Sequence, residues 1–311
     1  THEHCLPDFM QMLDTDAVID ILEIESGEAH KTIDSCVGIW EALSEQGADR
    51  RSLLINLGGG VITDLGGFVA ATFKRGIPFI NVPTSLLAMV DASVGGKTGV
   101  DLGALKNQIG VIRLGEMVLI DTQFLATLPE DHMRSGLAEM LKHGLITDGD
   151  YYRKMSNLAD SENNDLDALI YESVLIKHKV VTEDPEERGL RKTLNYGHTL
   201  GHAIESYFLD HPGRATLLHG EAIAIGMILA TFLSHRLLGF PEDKMDAIKD
   251  TFLTIYGEVT ITDADREAII DLLKYDKKNS HGNINFVLLE DIGQPKLDCQ
   301  VDNVLIHLAF D

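Results

Sequence analysis

Across residues 1–128, short apolar runs of strand type recur between glycine-rich turns and helical stretches. The runs are Ala17–Ile24, Ser52–Leu57, Pro78–Val82 and Met117–Asp121, and a helical stretch such as Ile33–Gln46 separates two of them. Strands alternating with helices predict a parallel α/β sheet. Thr127-Leu128-Pro129-Glu130 then marks a boundary, because proline is accommodated in the first turn of a helix. Beyond it the apolar positions keep helical spacing almost to residue 275, through His132–Ile146, Asp165–Val181, Gly197–Phe208 and Gly220–Leu238. A strand-like run, Asn283–Leu289, comes late, and the chain has no internal repeat or low-complexity tract. The pattern predicts an α/β cofactor domain over residues 1–128 and a mostly helical domain over residues 129–311.

A length of 311 residues suits two compact domains, and 44% hydrophobic with 24% charged residues is a globular balance. Acidic residues (49) outnumber Lys and Arg (26), for a net charge of −23. Such acidity argues against a surface for duplex nucleic acid or anionic membrane, which needs clustered bases. An anionic substrate would have to be held by a few locally placed bases. Cys5, Cys36 and Cys299 are far apart and form no CxxC pair, which points to a reducing compartment and excludes a thiolate zinc cage. The longest nearly apolar run, Ala222–Leu233, is too short to span a bilayer and reads as a buried helix. With no signal peptide ahead of the first element, the expected location is cytoplasmic.

Two glycine clusters carry candidate chemistry. Leu53-Leu54-Ile55-Asn56-Leu57 runs into Gly58-Gly59-Gly60 and then a helical apolar stretch. A buried strand that ends in glycines and opens a helix lets backbone approach a pyrophosphate, and the helix N-terminus favours the anion. Thr63 stands where GxGxxG has its third glycine, so a dinucleotide turn and a plain tight turn both remain open. The second cluster, Asp91-Ala92-Ser93-Val94-Gly95-Gly96-Lys97-Thr98-Gly99, lacks the first glycine of a P-loop. It reads as a flexible turn presenting Lys97, with Lys106 and Asn107 further on, and is either an anion site or a pair of solvated lysines.

The segment Arg191–Glu205 is the richest in acid–base and metal-binding groups. His198 and His202 are four residues apart and share a helix face, His219 opens the next apolar helix, and Glu139 and Lys142 are three residues apart upstream. A carboxylate and imidazoles from separate helices make the donor set of a catalytic zinc with an open position. Spacing does not decide which of His198 and His202 would bind, whether His143, His178 or His211 competes, or whether Glu139–Lys142 is only a helix-surface ion pair.

Taken together these segments resemble the 3-dehydroquinate synthase family of sugar phosphate cyclases. The shared words are GGGVITDLGGFVAATFKRG, NVPTSLLAMVDASVGGKTGVD, KNQIG, LPEDHMRSGLAEMLKHG, ERGLRKTLNYGHTLGHAIE, LHGEAIAIGM and DKK, in order from about residue 26 to 289. The resemblance implies a Rossmann-like N-terminal NAD domain and a helical C-terminal domain, in a homodimer. It implies a lyase of the shikimate pathway that turns 3-deoxy-D-arabino-heptulosonate 7-phosphate into 3-dehydroquinate and phosphate. The implied steps are transient oxidation by NAD, β-elimination of phosphate, re-reduction, ring opening and intramolecular aldol closure. Family members carry a further stretch ahead of the position of Thr1, so the sequence is expected to begin inside the nucleotide domain.

Carried over by position, the resemblance makes Glu139, His198 and His219 ligands of one zinc or cobalt ion per subunit. His202 is then not a ligand but an acid–base group on the phosphate side, with Glu187 a second one. NAD contacts would fall on Ser26, Gly27, Glu28, Ala29, His30 and Lys31, on Gly59, Gly60, Val61, Ile62, Thr63 and Asp64, and on Thr84, Ser85, Asp91, Lys97 and Lys106. A last set would be Phe124, Leu125, Ala126 and Thr127. Substrate would meet Asp91, Lys97, Asn107, Lys177, Arg191, Asn195, His202 and a lysine of Lys277-Lys278, with Lys142 on a ring hydroxyl. Lys97, Lys142, Arg191 and Asn195 would also serve catalysis. Arg75 would reach the neighbouring subunit's site. Three rivals stand beside this reading: sister cyclases that make inosose or valiolone rings, a metal-dependent alcohol or glycerol dehydrogenase, and a non-catalytic scaffold.

Overall fold

A computed structural model of the chain describes residues 3–103, 105–158, 165–211, 213–273 and 284–311. It divides into two compact units that meet in sequence at Gly136 and Leu137.

Unit one holds α1 (Leu6–Met12), α2 (Ile33–Glu45), β1 (Leu54–Gly58), α3 (Gly60–Thr72), β2 (Phe79–Pro83), β3 (Lys97–Leu102), β4 (Leu105–Ile112) and β5 (Met117–Val118). Thr32 starts α2 by accepting the Ser35 amide at 3.2 Å. Strands β1, β2 and β5 form a parallel sheet in that order, with Asn56 opposite Asn81 and their side chains bonded at 2.8 Å. The core packs Leu65, Phe68, Val69 and Phe73 against Ile77, Phe79 and Val100, with Cys36 and Leu43 of α2 closing it.

Two expectations fail here. Residues 17–24 form no strand: Leu22 and Ile24 pack on the core, but Val18, Ile19 and Ile21 are exposed. An alternating run becomes a strand only beside a partner, and no described strand pairs with it. Conversely, the turn read over Asp91–Gly99 is confined to residues 93–96 before the exposed Lys97, between a short π-helical turn, Ala88–Ala92, and β3, which pairs antiparallel with β4. The hairpin was hidden because Gly99 faces Gly110 across it, and a Cβ on either would lie within 2.5 Å of the opposing backbone.

Helix α4 (Glu130–Thr147) begins beside Pro129, as the boundary signal predicts, but the division between units falls inside it at Gly136 rather than at residue 128. Unit two continues with α5 (Gly149–Ser156), α6 (Leu166–Glu183), α7 (His198–Asp210), α8 (His219–Leu238), α9 (Glu242–Tyr256), α10 (Asp263–Leu272), β6 (Asn285–Asp291), β7 (Gln294–Gln300) and α11 (Asn303–Ala309). Strands β6 and β7 form a hairpin that docks on α8, where Ser234 Oγ accepts the Leu289 amide at 2.9 Å. Helix α8 is longer than the apolar run suggested. Among the described residues it is the one helix long and apolar enough to cross a membrane, yet it is largely buried inside unit two.

Helices α7 and α8 approach closely enough that a Cβ on Gly226 would sit 2.1 Å from the Gly197 carbonyl oxygen. Gly197 itself precedes α7 in the left-handed region, at φ 76°. Gly226→Ala is therefore expected to destabilise the protein by about 1–3 kcal/mol through overpacking. It should also disturb the first turn of α7, read as a lower midpoint in denaturant unfolding.

Candidate active site

Unit two gathers its reactive groups around one carboxylate. Glu139, on α4, has no solvent exposure. Its Oε2 accepts from Lys142 Nζ one turn on, and that lysine is itself 1% exposed, so the pair is interior rather than a surface ion pair. Its Oε1 accepts no hydrogen bond, yet faces His198 Nε2 at 3.4 Å and His219 Nε2 at 3.7 Å. Burial alone would raise the Glu139 pKa. The Lys142 ammonium, and then His198, hold it well below the usual carboxylate range.

The tautomers follow from the outer partners. His198 Nδ1 lies 3.0 Å from the Tyr196 carbonyl, which can only accept, so Nδ1 carries the proton and the Nε2 lone pair faces Glu139. His219 Nδ1 lies 3.3 Å from Oε2 of Glu205, a buried carboxylate on α7, which leaves Nε2 toward Glu139 as well. Burial, then the Lys142 cation, push the His198 imidazole down to about 4, keeping it neutral. Burial also works to lower His219, but Glu205 and Glu139 outweigh it and raise the group to about 10.

These donors fit a divalent ion. A buried carboxylate oxygen without a hydrogen bond, met by two Nε2 atoms at more than hydrogen-bonding distance, is the arrangement a cation would complete. All three ligand atoms lie within 4.8 Å of one another. A second donor set, His202, Glu205 and His219, meets the same limit. It would need His219 Nδ1, the atom already directed at Glu205, so the Glu139 set suits the tautomers better. His202 stands beside both histidines, its ring centroid 5.1 Å from that of His198 and 5.9 Å from that of His219. Of the competitors, His143 is buried and bonded to Ser173 Oγ at 2.8 Å, His178 is exposed, and His211 packs on Tyr207.

The remaining predicted groups of unit two lie on α6 and the segment after it. Lys177 and Arg191 are buried cations, 7% and 2% exposed. Arg191 Nη1 donates to the Pro185 carbonyl at 2.8 Å, and Asn195 Nδ2 donates to Glu187 Oε1 at 2.9 Å. Lys277 and Lys278 lie outside the described residues. Glu205 was given no role in the sequence reading, although it falls three residues after His202 and so on the same side of α7.

Unit one assembles a second group. Lys31, 4% exposed, donates to Asp64 Oδ2 and to Asn107 Oδ1, each at 2.7 Å, with Glu28 4.0 Å away and Lys106 3.4 Å from Glu28. Desolvation raises the Asp64 carboxyl against the pull of Lys31. The Asn107 amide, in left-handed backbone at φ 51°, donates to Asp101 Oδ1 at 2.6 Å. With its side-chain oxygen on Lys31, Asn107 presents its amide N–H groups as donors.

Beside this group, β1 ends at Gly58 and α3 starts at Gly60 with no side chain capping its first turn. A Cβ on Gly59 would meet Ser85 Oγ at 3.3 Å, and one on Gly60 would meet Ala92 at 3.3 Å. That open helix N-terminus fits the phosphates of a dinucleotide. Thr84 joins the same turn by donating its amide to the Gly58 carbonyl, and Ser85 Oγ accepts the Ala88 amide ahead of Asp91. Ser26, Gly27 and Ala29 are exposed, and His30 pairs with Glu25 at 3.2 Å. Thr63 is buried, Val61 and Ile62 half-buried, and Lys97 exposed. Phe124 and Leu125 are buried core side chains, which leaves their backbone and the exposed Ala126 and Thr127 to face a ligand.

Comparison with known proteins identifies relatives of the chain. A family model described as 3-dehydroquinate synthase N-terminal matches residues 21–135, and one described as 3-dehydroquinate synthase C-terminal matches residues 136–279. The chain is 43% identical to the 3-dehydroquinate synthase of Parabacteroides distasonis, over 100% of this chain and 88% of that protein. Among solved structures it is similar to a 2-epi-5-epi-valiolone synthase from Streptomyces hygroscopicus with NAD+ and Zn2+ bound. There the TM-score is 0.82 at 28% identity, covering 92% of this chain and 80% of that one. It is also similar to a 2-deoxy-scyllo-inosose synthase complexed with carbaglucose-6-phosphate, NAD+ and Co2+, with TM-score 0.79 at 28% identity, covering 94% and 82%.

His198→Ala and His219→Ala are each expected to weaken divalent-ion binding by more than about 100-fold with the helical content kept. His202→Ala should lose catalysis while holding ion affinity within about threefold. Calorimetric ion titration with circular dichroism checks all three. Equal ion loss in the His202 variant would move the ion to the second donor set.

Proposed function

The chain belongs to the 3-dehydroquinate synthase family, and from that premise we propose that it converts 3-deoxy-D-arabino-heptulosonate 7-phosphate to 3-dehydroquinate and phosphate. The observation that carries the reading is the convergence of Glu139, His198 and His219 beside Lys142. When bound, NAD supplies a hydride acceptor that becomes the donor later in the turnover, and a divalent ion supplies a Lewis acid for the alcohol oxygen. Glu139, His198 and His219 would hold the ion. The uncapped first turn of α3 would hold the dinucleotide phosphates, with Lys31, Asp64, Glu28 and Lys106 beside it.

The chain's own groups bind and orient the substrate. In a protein of net charge −23, the buried cations Lys177 and Arg191, with Lys97 and Asn107, are the groups that would meet its carboxylate and phosphate. Lys142, fixed against Glu139, is the donor for a ring hydroxyl. His202, held beside the two ligand histidines, would move a proton on the departing phosphate, and Glu187, held by Asn195, is the second acid–base group. Hydride loss to the dinucleotide would acidify the neighbouring C–H for departure of phosphate, and its return would leave no net oxidation. A cytoplasmic setting belongs to the same reading and is supported by three free cysteines.

The reading extends to a homodimer in which Arg75 serves the partner's site. Arg75 is exposed and follows Lys74 in left-handed backbone, at φ 70° and 48°. Such a conformation is uncommon for bulky residues and calls for a functional reason.

With the heptulosonate phosphate, catalytic NAD and zinc, phosphate and dehydroquinate should appear in equal amounts without accumulating NADH, and a chelator should stop both. Steady NADH accumulation with an alcohol would instead establish a dehydrogenase. For the dimer, Arg75→Ala and His219→Ala should each lose activity alone, and mixing the two should restore part of it. Mixed dimers then contain one site with both groups. A mixture no more active than its components would exclude Arg75 acting across subunits.

A further inference from the structure

The loop between α6 and Asn195 carries two groups given roles above, Glu187 and Arg191, and its backbone is unusual. Glu187 lies in the left-handed region at φ 58°, and Gly189 at φ −149°, ψ −101°. Left-handed backbone is uncommon for a residue other than glycine, and contacts around the loop hold it in place.

Those contacts converge on Asp184, the residue that ends α6. Its Oδ1 accepts the Arg188 amide at 3.0 Å, and its Oδ2 accepts the amides of Gly189 at 2.7 Å and Arg191 at 3.0 Å. The Asp184 carbonyl also accepts the Glu187 amide at 3.3 Å. Both oxygens of one carboxylate are thus spent on three backbone donors of the loop, at residues 188, 189 and 191. An ionised carboxylate is the strongest acceptor for such a set. The Gly189 and Arg188 amides, in that order, hold its pKa below the usual carboxylate range.

The consequence reaches the site by two routes. Fixing the Arg191 amide fixes the Cα from which the guanidinium turns inward onto the Pro185 carbonyl. Fixing the Glu187 backbone sets the carboxylate that receives Asn195 Nδ2.

We propose that Asp184 is a positioning residue for the anion-binding side of the site, its charged carboxylate shaping the loop so that Arg191 and Glu187 are presented together. The proposal rests on the reading of Arg191 as an anion-binding group. Asp184→Asn keeps the size of the side chain but can accept on one oxygen only, so at least one of the two sides of the clasp is lost. Asp184→Glu keeps the charge on a longer arm and should recover part of the function. The position is half-buried at the end of α6, so both variants are expected to keep the helices.

The test uses the full metal-loaded chain, with inorganic phosphate as the probe. In Asp184→Asn, amide hydrogen exchange at residues 188, 189 and 191 should rise by about tenfold or more, and phosphate affinity should fall by about tenfold. Ion content should stay unchanged, the KM for the sugar phosphate should rise more than kcat falls, and Asp184→Glu should lie between the variant and wild type. Unchanged exchange at the three amides would overturn the clasp. Faster exchange with phosphate affinity within about twofold of wild type would overturn the positioning role. If wild type binds no phosphate, the reading of Arg191 fails first and the proposal falls with it, a result distinguishable from the other two.

Discussion

A carboxylate with no access to water is costly unless its charge is answered nearby, and Glu139 is such a group. Removing one partner of a buried ion pair generally costs about 3–5 kcal/mol, because the other charge is left uncompensated. Lys142 answers the Glu139 charge from the same helix and His219, held charged, from the start of α8, while the neutral His198 faces the carboxylate from the start of α7. The second oxygen, without a hydrogen bond but faced by the Nε2 atoms of two imidazoles, is left for an ion. The need to neutralise the carboxylate and the ability to bind metal are one electrostatic arrangement.

That arrangement depends on how closely two helices can approach. Gly226 on α8 lies against the Gly197 carbonyl, and Gly201 on α7 lies against Ile223. Side chains at these places would push the helix starts apart, and His198 and His219 sit at those starts. Outer partners then fix the rings. The Tyr196 carbonyl and the Glu205 carboxylate each take an Nδ1 proton, so both imidazoles turn the same nitrogen inward.

In unit one the corresponding node is a cation. Lys31 is buried against Asp64 and Asn107, and its carbonyl accepts the Asp101 amide, tying the segment after residue 25 to the β3–β4 hairpin. This orders the residues around the start of α3 without placing a side chain over its free amides. Lys31 thus joins Lys142, Lys177 and Arg191 as a cation that packing holds in the interior of a strongly negative chain.

Much of this was legible in the sequence. Helical spacing located α2, α4, α6, α7 and α8 to within a few residues, because a helix is built from neighbours three and four apart. The strand-to-glycine step located β1 and α3 for the same local reason. Residues 17–24 and the β3–β4 hairpin were misread because a strand exists only through its partner, which local pattern does not contain. The histidine pair shows the same limit in the site. Spacing put His198 and His202 on one face of α7, but which nitrogen faces Glu139 is set by Tyr196 and by the packing of α8 on α7. Glu205, Asp101 and Asp184 carried no role legible from spacing, since each acts through groups brought to it by folding. The sequence by itself determined most of the helices, the strand-to-glycine step and the family. The tertiary structure decided which atoms meet, because burial, tautomer and charge compensation are properties of helices packed together.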